Sequence, residues 1–213
     1  MKVKLVGYTQ PSKEFAEHFN TPKELIAYCA RVSNPSNQYN NETADKLLNY
    51  LKKHKHWSPF EMASATLEIE TTRDIARQFL RHRSFSFQEF SQRYADPTKD
   101  LDFVIREARL QDEKNRQNSI ETENLALQAF WENYQKKVIE TCRNAYIWAI
   151  NNDIAKEQAR CVLPEGLMGS RLYVNGTIRS WIHYIEVRSD ESTQKEHRLL
   201  AKEIAKVIDE VFQ

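Results

Sequence analysis

The order in which extended and helical patterns follow one another is the feature that most restricts the fold of this chain. Alternating apolar residues predict strands over 1–9, 62–72 and 173–177. Helical spacing and helix-start signals predict helices over 21–33, 41–53, 73–83, 119–149, 154–163, 178–188 and 192–212. The two kinds of segment do not alternate regularly, which argues against a doubly wound parallel sheet. We therefore predict an α+β fold, in which a small, mostly antiparallel sheet is combined with several helices, including one long helix.

Local signals define some boundaries and leave others open. Thr21 is followed by Pro22 and, three positions after the cap, by Glu24, which is the pattern of a capped helix start. The alternation over Ser84–Phe87 predicts that extended chain follows the helix over 73–83. The residues from 94 to 118 are irregular and strongly polar, so we expect a long surface excursion there.

Length and composition exclude several classes of protein. The 213 residues fit a single domain over 1–213, and a net charge of +1 gives no overall attraction to nucleic acid or to an anionic membrane. No apolar run approaches the roughly 20 residues that span a bilayer, and the polar N-terminus does not resemble a signal peptide. The three cysteines, Cys29, Cys142 and Cys161, have no CxxC spacing, which favours a reducing, cytoplasmic location. No residue set has metal-ligand spacing, so we predict no metal.

The segment from Arg73 to Arg93 has an unusual concentration of arginine. It contains five arginines, at positions 73, 77, 81, 83 and 93, but only two acidic residues, Asp74 and Glu89. On a continuous helix, Arg73, Arg77 and Arg81 share one face and repel one another unless anions lie opposite. One interpretation is a solvated face with salt bridges. The other is a phosphate site, because small hydrogen-bonding residues, Ser84, Ser86, Gln88 and Ser91, follow the arginines.

The same segment carries a resemblance to a known family. RHRSFSFQEFSQR, over Arg81–Arg93, resembles the signature RHRxxSxNxxSxR of the flavin-dependent thymidylate synthases, and Gln88 stands where the family usually has Asn. The matching positions are Arg81, His82, Arg83, Ser86, Ser91 and Arg93. Further segments that resemble the family in the same order are CARVSN, HWSPFE, RLQDEKNRQNS, ARCVLP and RSWIHYIEVR.

The resemblance implies an enzyme that converts dUMP to dTMP. Methylenetetrahydrofolate would provide the carbon, reduced FAD the hydride, and NADPH would reduce the flavin again. It also implies a homotetramer whose active sites combine residues of more than one subunit, with small-molecule substrates and with neither nucleic acid nor a membrane as partner.

Carried over position by position, the resemblance implies two sets of site residues. The residues expected to bind dUMP are Gln78, Arg81, Glu89, Ser91, Arg93, Arg160 and Arg188, with main-chain groups of Phe90 and Gln92. The residues expected to bind FAD are Ser58, Arg81, His82, Arg83, Glu89, Thr177, Ile178, Arg179 and His183. Thr177 stands where some relatives have Asn, and Met62 stands where His is common.

Methylation at C5 of uracil requires that carbon to become nucleophilic, and two chemical routes achieve this. One adds a cysteine thiolate at C6, but Cys29 and Cys142 fall on apolar helix stripes and Cys161 also has the pattern of a structural residue. The other polarises the ring while a hydride arrives at C6. The resemblance implies that Arg188 is the catalytic residue that stabilises the ring anion. Without the family resemblance, Arg188 would be interpreted as an ordinary cation at a helix C-terminus.

Two alternatives to the enzyme remain open at the level of sequence. The first is a single-stranded nucleic-acid binding module, in which the Arg73–Arg93 cluster contacts phosphates and Phe79, Phe85, Phe87 and Phe90 stack on bases. The near-zero net charge disfavours it. The second is an inactive relative that serves only as a structural subunit.

Overall fold

A four-stranded antiparallel sheet lies at the centre of the computed structural model, which describes residues 1–212. Its strands occur in the order β1–β2–β6–β3, and each pairs antiparallel with its neighbour. A separate antiparallel hairpin joins β4 to β5. The strands are β1 (Lys2–Tyr8), β2 (Ser64–Thr72), β3 (Ser86–Glu89), β4 (Arg109–Gln111), β5 (Ser119–Glu121) and β6 (Gly169–Thr177).

Eight α-helices accompany these strands within residues 1–212, together with short 3₁₀ turns that include Ser58–Glu61 and Arg160–Val162. The helices are α1 (Pro22–Ala30), α2 (Ala44–Lys53), α3 (Arg73–Phe79), α4 (Pro97–Asp100), α5 (Leu125–Asn151), α6 (Lys156–Ala159), α7 (Ile178–Arg188) and α8 (Lys195–Val211). The predicted α+β fold with a small antiparallel sheet and one long helix is therefore confirmed. No helix in the described part of the chain is both long enough and apolar enough to cross a membrane.

The core is built on one face of β2 and β6. Ala65, Leu67 and Ile69 alternate along β2 and are fully buried, as the alternation predicts. Helices α7 and α8 cover this face, and Trp181 of α7 donates a hydrogen bond from Nε1 to the main-chain oxygen of Ala65, 3.2 Å away. Leu200 of α8 belongs to the same apolar cluster. The sheet thus fixes α7, which ends in Arg188.

The capped start predicted for the first helix is present. The Thr21 hydroxyl accepts a hydrogen bond from the main-chain N–H of Glu24, and the Glu24 carboxylate accepts one from the main-chain N–H of Thr21. These reciprocal bonds satisfy two of the donors that a helix start leaves free. The local sequence therefore determines this boundary.

The predicted helix over 73–83 is too long, because α3 ends at Phe79. The main-chain N–H groups of Arg81 and His82 donate to the carbonyls of Gln78 and Phe79, which is the three-residue spacing of a tightened last turn. Phe79 itself is buried in the core. Arg81 has therefore left the helix and does not share a helical face with Arg73.

The start of the long helix also differs from the prediction. Ser119–Glu121 forms strand β5, and α5 begins only at Leu125, where the Asn124 side chain caps the helix by accepting from the N–H of Leu127 at 3.0 Å. The predicted irregular excursion over 94–118 contains α4 and β4. Pairing of β4 with β5 overrides the helical pattern of this short segment.

Gly169 lies where the excursion crosses the start of β6, and its N–H donates to the main-chain oxygen of Asp102 at 2.9 Å. A Cβ at this position would lie 2.7 Å from that oxygen, whereas a Cβ at Gly166 would meet nothing within 4 Å. We predict that Gly169→Ala lowers the free energy of unfolding by about 1–3 kcal/mol, because the backbone must shift. Gly166→Ala, the matched control, should change it by less than about 0.5 kcal/mol. Urea unfolding followed by circular dichroism measures both, and equal effects would contradict this account.

Candidate active site

One residue predicted to bind dUMP, Arg188, meets one predicted to bind FAD, His82, where the end of α7 contacts the turn after α3. The Arg188 Nε donates a hydrogen bond to His82 Nε2 at 2.8 Å. Burial and then the Arg188 charge lower the pKa of His82, so its imidazole is neutral at pH 7 and Nε2 accepts while Nδ1 carries the proton. Arg188 shares a helical face with the buried Trp181 and Tyr184, as its spacing predicts. Within residues 1–212, no hydrogen bond or ion pair occupies the terminal guanidinium nitrogens of Arg188, so they are available to a ligand.

Gln78 approaches the same region from the last turn of α3. Its Nε2 donates to the Gln194 side chain at 2.8 Å, and its Oε1 lies 3.1 Å from His197 Nδ1. His197 also contacts the Tyr184 hydroxyl, and the Tyr184 ring lies 5.1 Å from the His82 ring, centroid to centroid. Gln78, His82 and Arg188 are therefore connected through a continuous set of contacts.

Most of the predicted FAD residues form a second group, where the turn Ser58–Glu61 packs on the start of α7. Arg179 forms an ion pair with Glu61, and the His183 ring meets the Trp57 ring edge-on at 4.5 Å. Thr177 caps α7 by accepting from the N–H of Ser180 at 3.3 Å. Asn caps helices as well as Thr does, so the Thr177 departure preserves this local structure.

Ile178, also predicted for FAD, has little left to offer a ligand. Its side chain is buried in the core, and its N–H donates to the main-chain oxygen of Ala63 at 2.9 Å. Both groups are therefore engaged within the fold.

Glu89 forms ion pairs with Arg73 and Arg77, two arginines for which the sequence predicted no specific partner. Its carboxylate lies 3.4 Å from Nη1 of Arg73 and 3.3 Å from Nη1 of Arg77, and it accepts a hydrogen bond from the Ser170 hydroxyl at 2.8 Å. Glu165 lies on the other side of both arginines. The salt bridges of the first interpretation are therefore present for Arg73 and Arg77, but Arg73 is not solvated, because its side chain is only 7% exposed.

Arg81 and Arg83 are exposed, as Arg77 is, but they differ from Arg73 and Arg77 in their lack of a carboxylate partner among the described residues. Within residues 1–212, no ion pair or side-chain hydrogen bond occupies either guanidinium group. Exposed arginines without a carboxylate partner are suited to phosphate, since their forked donors match its oxygens.

The loop after β3 holds the remaining predicted dUMP residues. The N–H of Phe90 donates to the main-chain oxygen of Arg171 at 2.8 Å, so this donor is not available to a nucleotide. The Ser91 hydroxyl accepts from the N–H of Arg93 at 3.4 Å. Gln92 is buried, and its Nε2 has no hydrogen-bond partner within the described residues. Such an orphaned donor is costly in an interior and fits a site that receives a ligand oxygen.

Arg93 and Arg160 form a third group, on opposite sides of Glu157. Arg93 Nη2 lies 3.6 Å from the Glu157 carboxylate, and Arg160 Nε donates to the Glu157 main-chain oxygen at 3.3 Å. In the described part of a single chain, no hydrogen bond or ion pair connects this pair to Arg188 or His82. Within one chain, the predicted site residues therefore form separate groups and not a single cluster.

Two of the three cysteines are poorly suited to nucleophilic catalysis. Burial raises the pKa of the Cys29 and Cys142 thiols, which disfavours the thiolate. Cys161 is exposed on the turn Arg160–Val162 and so does not belong to the core, and its assignment as a structural residue stays a prediction.

Burial also removes the basis for the nucleic-acid alternative. Phe79 and Phe85 are buried in the core cluster, with Phe87 packed against it, and so cannot stack on bases. Arg73 is likewise turned inward, on Glu89.

Comparison with known proteins covers nearly the whole chain. A family model described as thymidylate synthase complementing protein matches residues 14–212. A probable flavin-dependent thymidylate synthase of Paramecium bursaria Chlorella virus 1 is 49% identical over 212 residues, covering 100% of this chain and 95% of that protein. The chain belongs to the flavin-dependent thymidylate synthase family.

Other relatives extend the similarity to bacteria. The flavin-dependent thymidylate synthase of Synechocystis is 46% identical over 212 residues, covering 100% of this chain and 96% of that protein. The enzyme of the same name from Thermus thermophilus is 32% identical over 190 residues, covering 87% of this chain and 67% of that protein. The family resemblance predicted from the signature segment is therefore confirmed.

The donor set of this chain fits the flavin that gives the family its name. Arg81 and Arg83 offer unpartnered guanidinium groups to a pyrophosphate, and Arg179 and His183 lie one helical turn apart on α7. The chain has no GxGxxG segment, so its sequence lacks a Rossmann-type phosphate loop. Three residues behind the site, Tyr184, Gln194 and His197, escaped sequence reasoning because only the packing of α8 on α7 joins them.

The Arg73–Glu89 ion pair predicts a difference in stability between two Glu→Gln variants. We predict that Glu89→Gln lowers the free energy of unfolding by about 2 kcal/mol, because it removes an anion from a buried guanidinium. Glu165→Gln, the matched control, removes a carboxylate that is 55% exposed and should cost less than about 1 kcal/mol. Chemical unfolding at pH 7 distinguishes the two, and a larger loss for Glu165→Gln would reverse the assignment.

Proposed function

We propose that this chain methylates dUMP at C5 to give dTMP and tetrahydrofolate, with methylenetetrahydrofolate as carbon donor, FAD as cofactor and NADPH as reductant. Family membership over the full chain supports the reaction. The observation that supports the site is the 2.8 Å hydrogen bond between Arg188 and His82, since it joins a residue predicted for the nucleotide to one predicted for the flavin.

When bound, FAD would supply in reduced form the hydride that arrives at C6 of the uracil ring. The task left to the protein is to make the uracil ring electrophilic at C6 and nucleophilic at C5. We assign this to Arg188, whose Nε is engaged by His82 while its two terminal nitrogens are free for ring oxygens. A guanidinium held in this way stabilises negative charge on the ring without a covalent bond.

Binding is divided among the groups described above. We assign dUMP to Gln78, Arg81, Glu89, Ser91, Arg93, Arg160 and Arg188, with the Gln92 amide and the carbonyl of Phe90. We assign FAD to Ser58, Arg81, His82, Arg83, Glu89, Thr177, Arg179 and His183, with the carbonyl of Ile178. The raised pKa values of Cys29 and Cys142 support a mechanism without a cysteine nucleophile.

We also propose that the enzyme is a homotetramer with shared active sites. A stripe of exposed apolar side chains runs along α5 and includes Phe130, Tyr134, Val138 and Trp148. Phe130, Tyr134 and Val138 follow one another at one-turn spacing, and Trp148 returns to the same face ten residues later, so the four form one exposed apolar face, which is typical of subunit contacts. The separation of Arg93 and Arg160 from Arg188 within a chain supports sites completed by a second subunit. The three free cysteines support a cytoplasmic location.

The activity itself is tested on purified protein loaded with FAD. Supplying dUMP, methylenetetrahydrofolate and NADPH should yield dTMP, and dUMP should perturb the visible flavin spectrum. We predict that Arg188→Ala lowers kcat about 10²–10³-fold with flavin content retained, because transition-state charge loses its donor. Lys53→Ala removes a positive charge from the exposed end of α2 and should leave kcat unchanged. Full activity in Arg188→Ala would refute the catalytic assignment, and no dTMP from the unmodified protein would indicate an inactive subunit.

The oligomeric state is tested on the α5 stripe. We predict that Phe130→Glu shifts the sedimentation coefficient towards smaller species, because a charge in an apolar contact remains desolvated and unpaired. Glu140→Ala, an exposed polar position on the same helix, should leave the tetramer intact. A monomeric unmodified protein would contradict the proposal.

A further inference from the structure

A chain of side-chain hydrogen bonds lies behind Gln78 and continues into α8. It runs from the Tyr184 hydroxyl to His197 Nε2 (3.0 Å), from His197 Nδ1 to Gln78 Oε1 (3.1 Å), and from Gln78 Nε2 to Gln194 Oε1 (2.8 Å). It then passes from Gln194 Nε2 to the Glu196 carboxylate (2.9 Å). Gln78 bonds directly to two of these residues, Gln194 and His197, and none of the four residues that the chain adds to Gln78 belongs to the predicted site.

The carboxylate at the end of this chain determines its direction. An ionised carboxylate only accepts hydrogen bonds, so Gln194 must turn its NH₂ towards Glu196 and its carbonyl towards Gln78. Gln78 must then present its NH₂ to Gln194 and its carbonyl to His197. His197 in turn donates from Nδ1, which leaves Nε2 to accept from the Tyr184 hydroxyl.

Arg109 keeps Glu196 ionised. Its guanidinium lies 2.7 Å from one carboxylate oxygen and donates to the other at 2.9 Å. Burial alone would raise the pKa of Glu196, but the hydrogen bonds from Arg109 and Gln194 outweigh it and lower that pKa to about 2.

The other end of the chain is held by packing. His197 is fully buried, and the Tyr184 ring stacks on Phe79 with centroids 4.3 Å apart. Burial, then the Arg188 charge and then His82, lower the pKa of His197 to about 3, so its ring is neutral at physiological pH. A neutral imidazole has one donor and one acceptor, which matches the two bonds observed.

We propose that Glu196, acting through Gln194, and His197, anchored by Tyr184, are positioning residues that hold the Gln78 amide in a single orientation towards the nucleotide. With one N–H and one carbonyl lone pair occupied, Gln78 presents its second N–H and its second lone pair to dUMP in a fixed arrangement. The inference rests on the proposed role of Gln78 in dUMP binding. Neither positioning residue touches the substrate.

Substitutions of His197 separate orientation from packing. The amide nitrogen of asparagine can occupy the place of Nδ1, whereas the amide of glutamine reaches the place of Nε2. His197→Leu and His197→Gln should therefore raise KM for dUMP about tenfold with kcat within about twofold, because the bond to Gln78 is lost. His197→Asn should keep KM within about threefold of the unmodified enzyme. A purely structural role would instead rank the variants by stability, with no selective effect on dUMP.

Glu196→Gln tests the direction of the chain. A glutamine at 196 can donate as well as accept, so Gln194 is no longer forced into one orientation, and KM for dUMP should rise about fivefold. The matched control is Glu203→Gln, an exposed position on α8 whose carboxylate pairs only with Lys206 among the described contacts. An unchanged KM in Glu196→Gln, or an equal rise in KM for methylenetetrahydrofolate and NADPH, would overturn the proposal.

A readout without turnover tests the same chain. ¹⁵N NMR of histidine-labelled protein at pH 7.5 should find His197 neutral with the proton on Nδ1, and a proton on Nε2 would overturn the proposal. Absence of dTMP from the unmodified enzyme would refute the proposed function. The NMR measurement of the His197 tautomer does not depend on turnover and would still test the hydrogen-bond chain. Conversely, dTMP formation with an unchanged dUMP KM in Gln78→Ala would remove this inference and leave the function standing.

Discussion

The pairing of β2 with β6 is the constraint on which the rest of the structure depends. The two strands are in register over their full lengths, from Ser64 opposite Thr177 to Thr72 opposite Gly169. Helix α3 begins directly after β2 and α7 directly after β6, so the register fixes where both helices start. Stacking of Phe79 on Tyr184 then joins the helices. A register slip in this pair would reverse the faces of both strands and separate the residues at the two helix ends.

Around this frame, the arginines divide into those that serve the fold and those that remain free for ligands. Arg73 is turned inward and is neutralised by Glu89, which secures the end of β2 against β3 and β6. Arg81 and Arg83 follow the end of α3, where the chain leaves the helix for the surface. The early end of that helix is therefore what separates the two kinds of arginine.

Local pattern predicted the fold well, since alternation in β2 and the capping box at Thr21 depend on neighbouring residues alone. The end of α3 and the start of α5 were not predictable, because Phe79 is held by α7 and Ser119–Glu121 by a partner strand. For the site, the signature segment pointed to the family and to its residues. Its supporting residues lie on α7, at the cap of α8 and on α8, more than a hundred positions from Gln78, and no local pattern carries that information.

Strand β3 is an edge strand of the sheet, and this bears on how the signature segment can vary. Its side chains alternate, so that Phe87 and Glu89 are half-buried whereas Ser86 and Gln88 point to solvent. The main-chain pairing with β6 is independent of what those outward positions carry. One extra methylene at Gln88 therefore lengthens an exposed amide without moving the carboxylate next to it.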